Sequence, residues 1–349
     1  MNVVIRTDAS INIGSGHVMR CLVLAEELDN RGYTVSFVCR ALLGDMIDFI
    51  QERGFSVFPL NEVISAVTLK HSADYIGWLQ CSIEQDASDF LSQIHEADIV
   101  ITDHYAIGKE WHSIIRNKLN CHIVAIDDLN RTHDADLIID QNLWRDLEFR
   151  YISCKGRKLL GPKYALLRPS FHKLRESDIQ EKDQIIAFFG GSDLTKECFK
   201  LVEALRHFNN DLPFSVKVIA GRSNPNFEEL QGLSKNINVE VVRYLDNFDV
   251  ALRQSKYILG ASGVSNWERF CLRVPASVVS VADNQKELSE YLSELGVMRY
   301  LGNSNQVTPD TYLNELIYLK LHWPNVGASV SIEVDGLGAV YVVDEIGKI

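Results

Sequence analysis

A histidine stands in a glycine-rich turn near the start of the chain, between a predicted first strand and a predicted first helix. The turn reads Gly14-Ser15-Gly16-His17-Val18-Met19-Arg20-Cys21 and follows the apolar run 3–5. Glycines in such a turn let a ligand approach the backbone, and a helix N-terminus presents amide N–H groups that attract anions. A histidine imidazole can accept a proton near neutral pH. The residue types therefore make His17 a candidate general base.

The turn also has an interpretation without chemistry, because glycine-rich strand-to-helix turns are common in α/β proteins. It is not a Walker A motif, since the Gly-Lys-Ser/Thr ending that grips nucleotide phosphates is missing. It does not match the dinucleotide fingerprint either, because Met19 stands where a third glycine is needed. The turn by itself therefore predicts neither of these nucleotide sites.

Two further turns of small residues follow predicted strands in the second half of the chain. Either turn can seat a phosphate at a helix N-terminus, and Glu268 can accept hydrogen bonds from a ribose diol. Each turn also fits a plain helix entry, with Asp193 or Ser265 as the N-cap. The two turns are Gly190-Gly191-Ser192-Asp193 and Gly260-Ala261-Ser262-Gly263-Val264-Ser265-Asn266-Trp267-Glu268.

Polar residues also end several other predicted strands. Asp103-His104-Tyr105 ends one of them and is expected to face the same cleft as His17. Asn284-Gln285 follows a late strand, where a carboxamide can bind a sugar hydroxyl or a phosphate, or can cap the next helix. These residues are therefore candidates for substrate contacts.

Acidic residues at strand ends can also hold a metal ion. Asp127-Asp128 and Asp140-Gln141-Asn142 each end a predicted strand, and Asp134-Ala135-Asp136 has the Asp-x-Asp spacing of some metal-dependent transferases. Asp136 leads directly into an apolar run, and no His or Glu joins it at ligand spacing. The sequence therefore predicts no metal site.

Short apolar runs alternate with helical segments through the first half of the chain, which predicts a parallel sheet covered on both faces. Right-handed crossovers would make this sheet doubly wound. The predicted strands are 3–6, 35–39, 57–60, 99–102, 123–126 and 137–139, and the predicted helices are 18–31, 44–53, 83–95 and 109–119.

The same pattern starts again after an irregular, charged stretch that contains two prolines. Strands are expected at 185–189, 216–220, 239–242, 257–259 and 276–281. The predicted fold is α/β, with two Rossmann-like, doubly wound domains that face each other across a cleft. The predicted boundaries are an N-terminal domain at 1–158, a linker at 159–182 and a C-terminal domain at 183–349.

The composition limits the classes of function that fit. The 349 residues are 46% apolar and 23% charged, and the net charge of −12 argues against a general nucleic-acid binder. No apolar run approaches a membrane span, and no signal peptide is recognised at the N-terminus. Seven scattered cysteines without a Cys-x-x-Cys pair predict reduced thiols. We therefore expect a cytoplasmic protein.

Taken together, these motifs resemble those of the UDP-2,4-diacetamido-2,4,6-trideoxy-β-L-altropyranose hydrolases of bacterial pseudaminic acid biosynthesis. The resemblance extends over nearly the whole chain, and the turn around His17 is its most specific part. The glycine turns of the second half are shared more widely with GT-B glycosyltransferases that use sugar nucleotides. The matching segments are 6–10, 14–21, 103–105, 126–129, 140–142, 160–168, 189–193, 262–268, 282–285 and 335–339.

The resemblance implies a GT-B-like fold whose C-terminal domain binds UDP and whose N-terminal domain presents the sugar. His17 would be the general base for a water that attacks the anomeric carbon and displaces UDP with inversion. No metal or cofactor is implied, and the partners are a UDP-sugar and water, with no nucleic acid or membrane, for a protein expected to be monomeric. The implied UDP-binding residues are Gly190, Gly191, Ser192, Ser262, Gly263 and Glu268. The implied substrate-binding residues are Asp8, Gly14, Ser15, Gly16, Arg20, Asp103, Tyr105, Asn284 and Gln285.

Two other functions remain open on the sequence. One is a GT-B glycosyltransferase that uses a UDP-sugar donor, for which the small basic segment 155–158 is the candidate acceptor patch. The other is a UDP-sugar sensor or assembly partner without catalysis, which would dock a partner through the segment 329–349, where Val and Ile alternate with other residues.

Overall fold

The chain divides into two compact units in the computed structural model. The N-terminal unit consists of Met1–Leu167 and Leu337–Ile349, and the C-terminal unit consists of Arg168–Gly336. The structure describes residues 1–61, 67, 69–70, 74–208, 211–235, 237–326 and 331–349. The chain therefore passes from one unit to the other twice.

The N-terminal unit is built on a seven-stranded sheet whose strands are all parallel, in the order β3-β2-β1-β4-β5-β6-β7. Its elements up to residue 160 are β1 (Asn2–Thr7), α1 (Gly16–Asn30), β2 (Thr34–Arg40), α2 (Ile47–Glu52), β3 (Ser56–Leu60), α3 (Ile83–Gln93), β4 (Ile99–Asp103), α4 (Lys109–Leu119), β5 (His122–Ile126), β6 (Leu137–Asp140) and β7 (Arg157–Leu160).

The C-terminal unit has a second parallel sheet, in the order β10-β9-β8-β11-β12-β13. Its elements are α5 (Pro169–Arg175), β8 (Lys182–Phe188), α6 (Glu197–Leu205), β9 (Ser215–Ile219), α7 (Phe227–Leu233), β10 (Val239–Val242), α8 (Phe248–Gln254), β11 (Ser255–Ala261), α9 (Ser265–Leu272), β12 (Ala276–Ser280), α10 (Lys286–Glu294), β13 (Arg299–Asn303) and α11 (Pro309–His322).

Apolar side chains on both faces of each strand explain why these segments form buried parallel sheets. In β1, Val3 and Ile5 lie in one buried core with Leu24 of α1, whereas Val4 lies in the core on the opposite face, with Val100. Successive strand residues point to opposite faces, so an uninterrupted apolar run requires cover on both sides. The predicted α/β class and doubly wound sheets are confirmed.

The strand order reverses beside the first strand of each sheet. In the N-terminal unit β1 lies between β2 and β4, and Thr7 pairs with Asp103 at the carboxyl end of β4. In the C-terminal unit β8 lies between β9 and β11. Open α/β sheets bind ligands at such switch points, outside the carboxyl ends of the strands. The turn around His17 and the two later small-residue turns all leave strands that border a switch point.

Two strands differ from the sequence prediction. β7 was not predicted; it crosses the predicted boundary between the N-terminal domain and the linker, and it pairs with β6 in the first sheet. β13 was not predicted, because its sequence, Arg299-Tyr300-Leu301-Gly302-Asn303, has no apolar run, and the strand lies at an edge of its sheet. An edge strand needs less apolar surface than a central one, and this weakens its sequence signal.

The end of the chain is a helix, α12 (Gly338–Ile346), and not the exposed docking tail considered above. Val342, Val343 and Ile346 are buried in the core of the N-terminal unit. This corrects the predicted C-terminal domain, because its last residues, from Leu337 onward, belong to the N-terminal unit. Residues 329 and 330 of the predicted docking segment lie outside the described residues.

Close packing explains two glycines of the 335–339 motif. A Cβ atom on Gly338 would lie 2.2 Å from the carbonyl oxygen of Ala165, and Gly336 has a φ of +79°. These glycines let the backbone turn and pack closely where α12 begins.

Within the described parts of the chain, no helix combines the length and the apolar character that a membrane crossing requires. All seven cysteines are free thiols.

Candidate active site

The first turn of α1 carries the candidate base. Gly14 has a φ of +79°, a conformation that glycine adopts without strain, and its amide donates to the Ser10 carbonyl across 2.8 Å. Gly14, Ser15 and Gly16 are exposed, whereas the His17 side chain is buried. The turn therefore presents its backbone to solvent directly beside the imidazole.

His17 is held by a carboxylate from the neighbouring strand. Its Nδ1 lies 2.6 Å from Oδ1 of Asp103, and the Tyr105 ring packs edge-on against the imidazole with ring centroids 4.6 Å apart. When Nδ1 donates its hydrogen to Asp103, Nε2 is the remaining acceptor of the neutral ring. The arrangement resembles the His–Asp pair of hydrolytic triads, in which a carboxylate fixes the tautomer and orientation of an imidazole.

Arg20, one helical turn after His17, binds the same carboxylate with two donors. Its Nε donates to Oδ2 of Asp103 across 2.5 Å, and a terminal nitrogen donates to Oδ1 across 2.6 Å. Burial by itself raises the pKa of Asp103, but Arg20 and His17 outweigh it and hold that pKa well below its usual value. Asp103 is therefore ionised at neutral pH and acts as an acceptor only.

Aromatic side chains that sequence analysis missed lie beside the imidazole. Trp78, in the short 3₁₀ helix Gly77–Leu79, stacks on Tyr105 with ring centroids 5.6 Å apart and meets His17 edge-on at 6.3 Å. Tyr75 packs against both Trp78 and Tyr105. The segment around them has no regular strand or helix pattern, so no periodicity signalled these residues.

Asp8 does not have the role that the sequence predicted. Its carboxylate accepts from Arg6 at 2.5 and 2.9 Å and from the Arg40 backbone amide at 2.7 Å, and the side chain is fully buried. The ring Nε2 of His104 lies 3.5 Å from the same group. Because both oxygens already bind the chain's own donors, Asp8 supports the floor of the site and does not present an acceptor to a ligand.

The other strand-end carboxylates are engaged by neighbouring cations. Arg131 pairs with Asp127, Arg150 with Asp140, and Arg116 with Asp134 and Asp136. Only Asp128 joins the site, where Arg20 donates to it across 3.4 Å. Among the residues that the structure describes, no three His, Cys, Asp or Glu side chains are arranged to hold a metal ion.

The two small-residue turns of the C-terminal unit differ at their helix N-termini. The N-cap residue of α6 is Lys196 and not Asp193 as predicted, but the Asp193 carboxylate accepts from the backbone amides of Glu197 and Cys198 at 2.9 and 3.0 Å and so caps the helix from three residues earlier. At α9, the Ser265 hydroxyl donates instead to the Ala261 carbonyl at 3.1 Å. The Asn266 and Trp267 amides at the start of α9 donate to the Gly263 and Val264 carbonyls at 2.9 and 3.0 Å, so this helix end is closed by backbone and not by a side-chain cap.

Residues around the α9 turn are partly occupied by internal contacts. The Ser262 hydroxyl is buried and accepts from Asn266 at 3.0 Å and from Ser289 at 2.7 Å. Gly263 has a φ of +121°, so a side chain there would be strained. Glu268 is half-buried, and burial raises its pKa despite the nearby Arg168 and Arg269.

In the turns after β8 and β12, several polar groups are already bound within the chain. Gly190 has a φ of +105°, and the Gly191 carbonyl accepts from the Ser223 amide at 3.0 Å, while Ser192 is half-buried. After β12, the Gln285 side-chain oxygen accepts from the Val281 amide at 2.9 Å, and Asn284, half-buried, is also engaged. The Gln285 carboxamide therefore binds back to the chain just after β12, and its side chain does not cap α10.

No protein-family model matches the chain. It is 25% identical to UDP-2,4-diacetamido-2,4,6-trideoxy-beta-L-altropyranose hydrolase of Campylobacter jejuni over 85% of this chain and 97% of that protein. It is 23% identical to spore coat polysaccharide biosynthesis protein SpsG of Bacillus subtilis, over 93% of this chain and 90% of SpsG. An uncharacterised protein of Methanocaldococcus jannaschii is 27% identical over 84% of this chain, which spans only 59% of that longer protein.

Solved structures agree on the fold. The glycotransferase of kitacinnamycin superposes with a TM-score of 0.70 at 16% identity, covering 99% of this chain and 98% of that one. MurG of Acinetobacter baumannii superposes with a TM-score of 0.65 at 16% identity, covering 100% of this chain and 99% of that one. The chain thus has the GT-B fold, and in sequence it is a homologue of the Campylobacter jejuni hydrolase and of SpsG.

Proposed function

We propose that the protein hydrolyses a UDP-sugar, UDP-2,4-diacetamido-2,4,6-trideoxy-β-L-altropyranose, to UDP and the free sugar, in pseudaminic acid biosynthesis. The observation that carries the proposal is the contact of 2.6 Å between His17 Nδ1 and Asp103, at the switch point of the first sheet. The relation to the Campylobacter jejuni hydrolase supports the choice of substrate.

The chemistry assigned to His17 is general base catalysis. Nε2 removes a proton from a water molecule as the water oxygen bonds to the anomeric carbon of the sugar. The bond between that carbon and the phosphate oxygen breaks, and its electron pair leaves with UDP. Attack from the face opposite the leaving group inverts the anomeric centre, as in inverting glycosidases. The proton on His17 then returns to solvent.

Departure of UDP requires stabilisation of the negative charge on its diphosphate. In the proposal the diphosphate binds at the turn around Gly263, at the positive end of the α9 dipole, and Glu268 accepts from the ribose. The turn Gly190-Gly191-Ser192 lines the same edge of the sheet. The first two amides of α6 already donate to the Asp193 carboxylate. Gly14, Ser15, Gly16, Arg20 and Tyr105 surround the base, and Asn284 is retained as a sugar contact.

A glycosyltransferase that uses a UDP-sugar donor is the second candidate. It is favoured by the fold of the kitacinnamycin glycotransferase and of MurG, and a His–Asp pair can deprotonate an acceptor hydroxyl as readily as water. The name of SpsG, a polysaccharide biosynthesis protein, fits either reaction. The two candidates differ in one respect: a hydrolase releases UDP without an acceptor.

A His17→Asn variant tests the role of the base. Asparagine keeps a hydrogen-bonding side chain but cannot take a proton from water, so we expect UDP release to fall at least about 100-fold. UDP affinity, measured by calorimetry, should stay near that of the wild type because the proposed UDP contacts lie in the other unit. His95→Asn, at an exposed histidine, is the matched control and should keep full activity. An active His17→Asn variant would refute the role.

A further inference from the structure

Arg20 contacts both His17 and the carboxylates of Asp103 and Asp128. Besides its two bonds to Asp103, it places a terminal nitrogen 3.3 Å from His17 Nδ1 and another 3.4 Å from the Asp128 carboxylate. Its side chain is 4% exposed. A guanidinium at this depth, bound through two donors to one carboxylate, is fixed in orientation.

The charge of Asp103 has two opposing effects on a general base. It orients the imidazole, which helps catalysis, but a carboxylate 2.6 Å from Nδ1 also stabilises the imidazolium. The imidazolium has no lone pair on Nε2 and cannot accept a proton from water. An efficient base therefore needs the carboxylate's hydrogen bond without its full electrostatic effect.

We propose that Arg20 is a positioning residue that neutralises Asp103 and so keeps His17 in its neutral, proton-accepting form. Its cation opposes a second positive charge on the imidazole, while its two hydrogen bonds fix the carboxylate that orients the ring. The role deepens the proposed function and rests on it, because a neutral His17 matters only if it acts as the base.

Most of the other ionisable groups around the imidazole are neutral, so the charges of Arg20 and Asp103 determine the balance. Cys21 donates to Asp103 Oδ2 at 3.5 Å, and burial raises the pKa of its thiol, which is therefore neutral. Burial and the Asp128 carboxylate raise the pKa of Tyr105, so the phenol is neutral as well. Burial lowers the pKa of His104 to about 4. Asp128 is the remaining charge, and Arg20 lies between it and the imidazole ring.

Histidine NMR tests the proposal without any substrate. The titration midpoint of the His17 imidazole is followed in the wild type and in Arg20→Gln, with the resonance assigned by its loss in His17→Asn. Removal of the cation leaves Asp103 free to stabilise the imidazolium, so the midpoint should rise by about one pH unit or more. Arg31→Gln is the matched control at the C-cap of α1, where the arginine pairs at the surface with Glu27 and with Asp344 of α12. Equal midpoints in the wild type and Arg20→Gln would overturn the proposal.

A second variant keeps the test available if Arg20→Gln does not fold. Asp103→Asn removes the carboxylate and leaves Arg20 beside the imidazole, so the His17 midpoint should move to lower pH than in the wild type. An unchanged or higher midpoint would contradict the proposed balance of charges.

Enzyme kinetics separates an electrostatic role from a merely structural one. In Arg20→Gln the acidic limb of the kcat/KM profile should shift upward with the NMR midpoint, and activity should recover at higher pH. A loss of equal size at every pH would show that Arg20 only supports the fold. If the wild type releases no UDP at all, the proposed function fails, while the NMR titration still decides the role of Arg20.

Discussion

Two neighbouring ionisable residues at the end of β4 show how partners decide the charge of buried groups. Asp103 and His104 are both buried. Burial opposes charge on each, but Arg20 and His17 reverse its effect on Asp103, whose pKa is lowered. Asp8 opposes burial at His104 more weakly, across 3.5 Å, and the pKa of His104 falls to about 4. One residue is therefore an anion and the next is a neutral ring.

The neutral state of His104 predicts a pH-dependent loss of stability. An unfolded histidine has a pKa near 6.5, so the unfolded chain binds the proton more tightly than the folded one. The free energy of unfolding should therefore fall as the pH drops from above 6.5 toward 4, and His104 should account for about 2 kcal/mol of the difference between pH 7.5 and pH 5.

His104→Asn isolates this contribution, because the asparagine oxygen can replace Nδ1 as the acceptor of the Ala106 amide. Urea unfolding at the two pH values should show a smaller pH effect in the variant than in the wild type. The same pH effect in both proteins would show that His104 does not carry it.

The N-terminal ends of α1, α6 and α9, which follow the strands at the switch points, differ in what surrounds their first backbone amides. At α6 the Asp193 carboxylate binds two amides, and burial raises the pKa of this carboxyl to about 6 against those bonds. At α9 the Ser265 hydroxyl turns away to a carbonyl. At α1 the turn at Gly14 and Gly16 is exposed. Similar sequence patterns thus give one helix end capped by a carboxylate, one closed by backbone carbonyls and one at an exposed turn.

This difference predicts unequal effects of two alanine substitutions on stability. Asp193→Ala removes the side-chain acceptor of two amides and should lower the free energy of unfolding by about 1–2 kcal/mol. Ser265→Ala removes only a bond to a carbonyl that has other partners, and its effect should stay within about 0.5 kcal/mol. Chemical denaturation measures both. Equal losses would mean that Asp193 does not cap α6.

We expect glycine-to-alanine substitutions in two helices to have opposite effects on stability. Alanine normally stabilises a helix interior over glycine by up to about 1 kcal/mol. Gly232→Ala in α7 should follow this rule, because a Cβ there would meet no described atom within 4 Å beyond its chain neighbours and its own helix backbone. Gly338→Ala should instead destabilise the protein, because its Cβ would overlap the Ala165 carbonyl at 2.2 Å. Thermal unfolding of both variants decides this, and a stabilising Gly338→Ala would refute the close approach.

At the scale of the whole molecule, the sequence predicted most of the fold because central parallel strands are continuously apolar. Runs such as 3–6 and 99–102 lie within strands that are buried on both faces. Edge strand β13 and helix α12 were missed for the opposite reason. The first is polar and half-buried, and the second packs against a unit far away in the sequence, so local patterns did not reveal its partner.

The site was predictable in its residue types but not in its contacts. A glycine turn with a histidine marked His17, yet the contact with Asp103 spans 86 residues and depends on β4 lying beside β1. The two bonds of Arg20, the aromatic side chains Trp78 and Tyr75, and the buried state of Asp8 depend on the same long-range order. Spacing along the chain does not encode that order directly.

The most direct test of the proposed hydrolysis is acceptor-free turnover of UDP-2,4-diacetamido-2,4,6-trideoxy-β-L-altropyranose, followed by proton and phosphorus NMR. We expect the wild type to produce UDP and the free reducing sugar together, with the α anomer formed first, and His17→Asn to produce neither. An intact sugar nucleotide after incubation with the wild type, or equal turnover by His17→Asn, would contradict it.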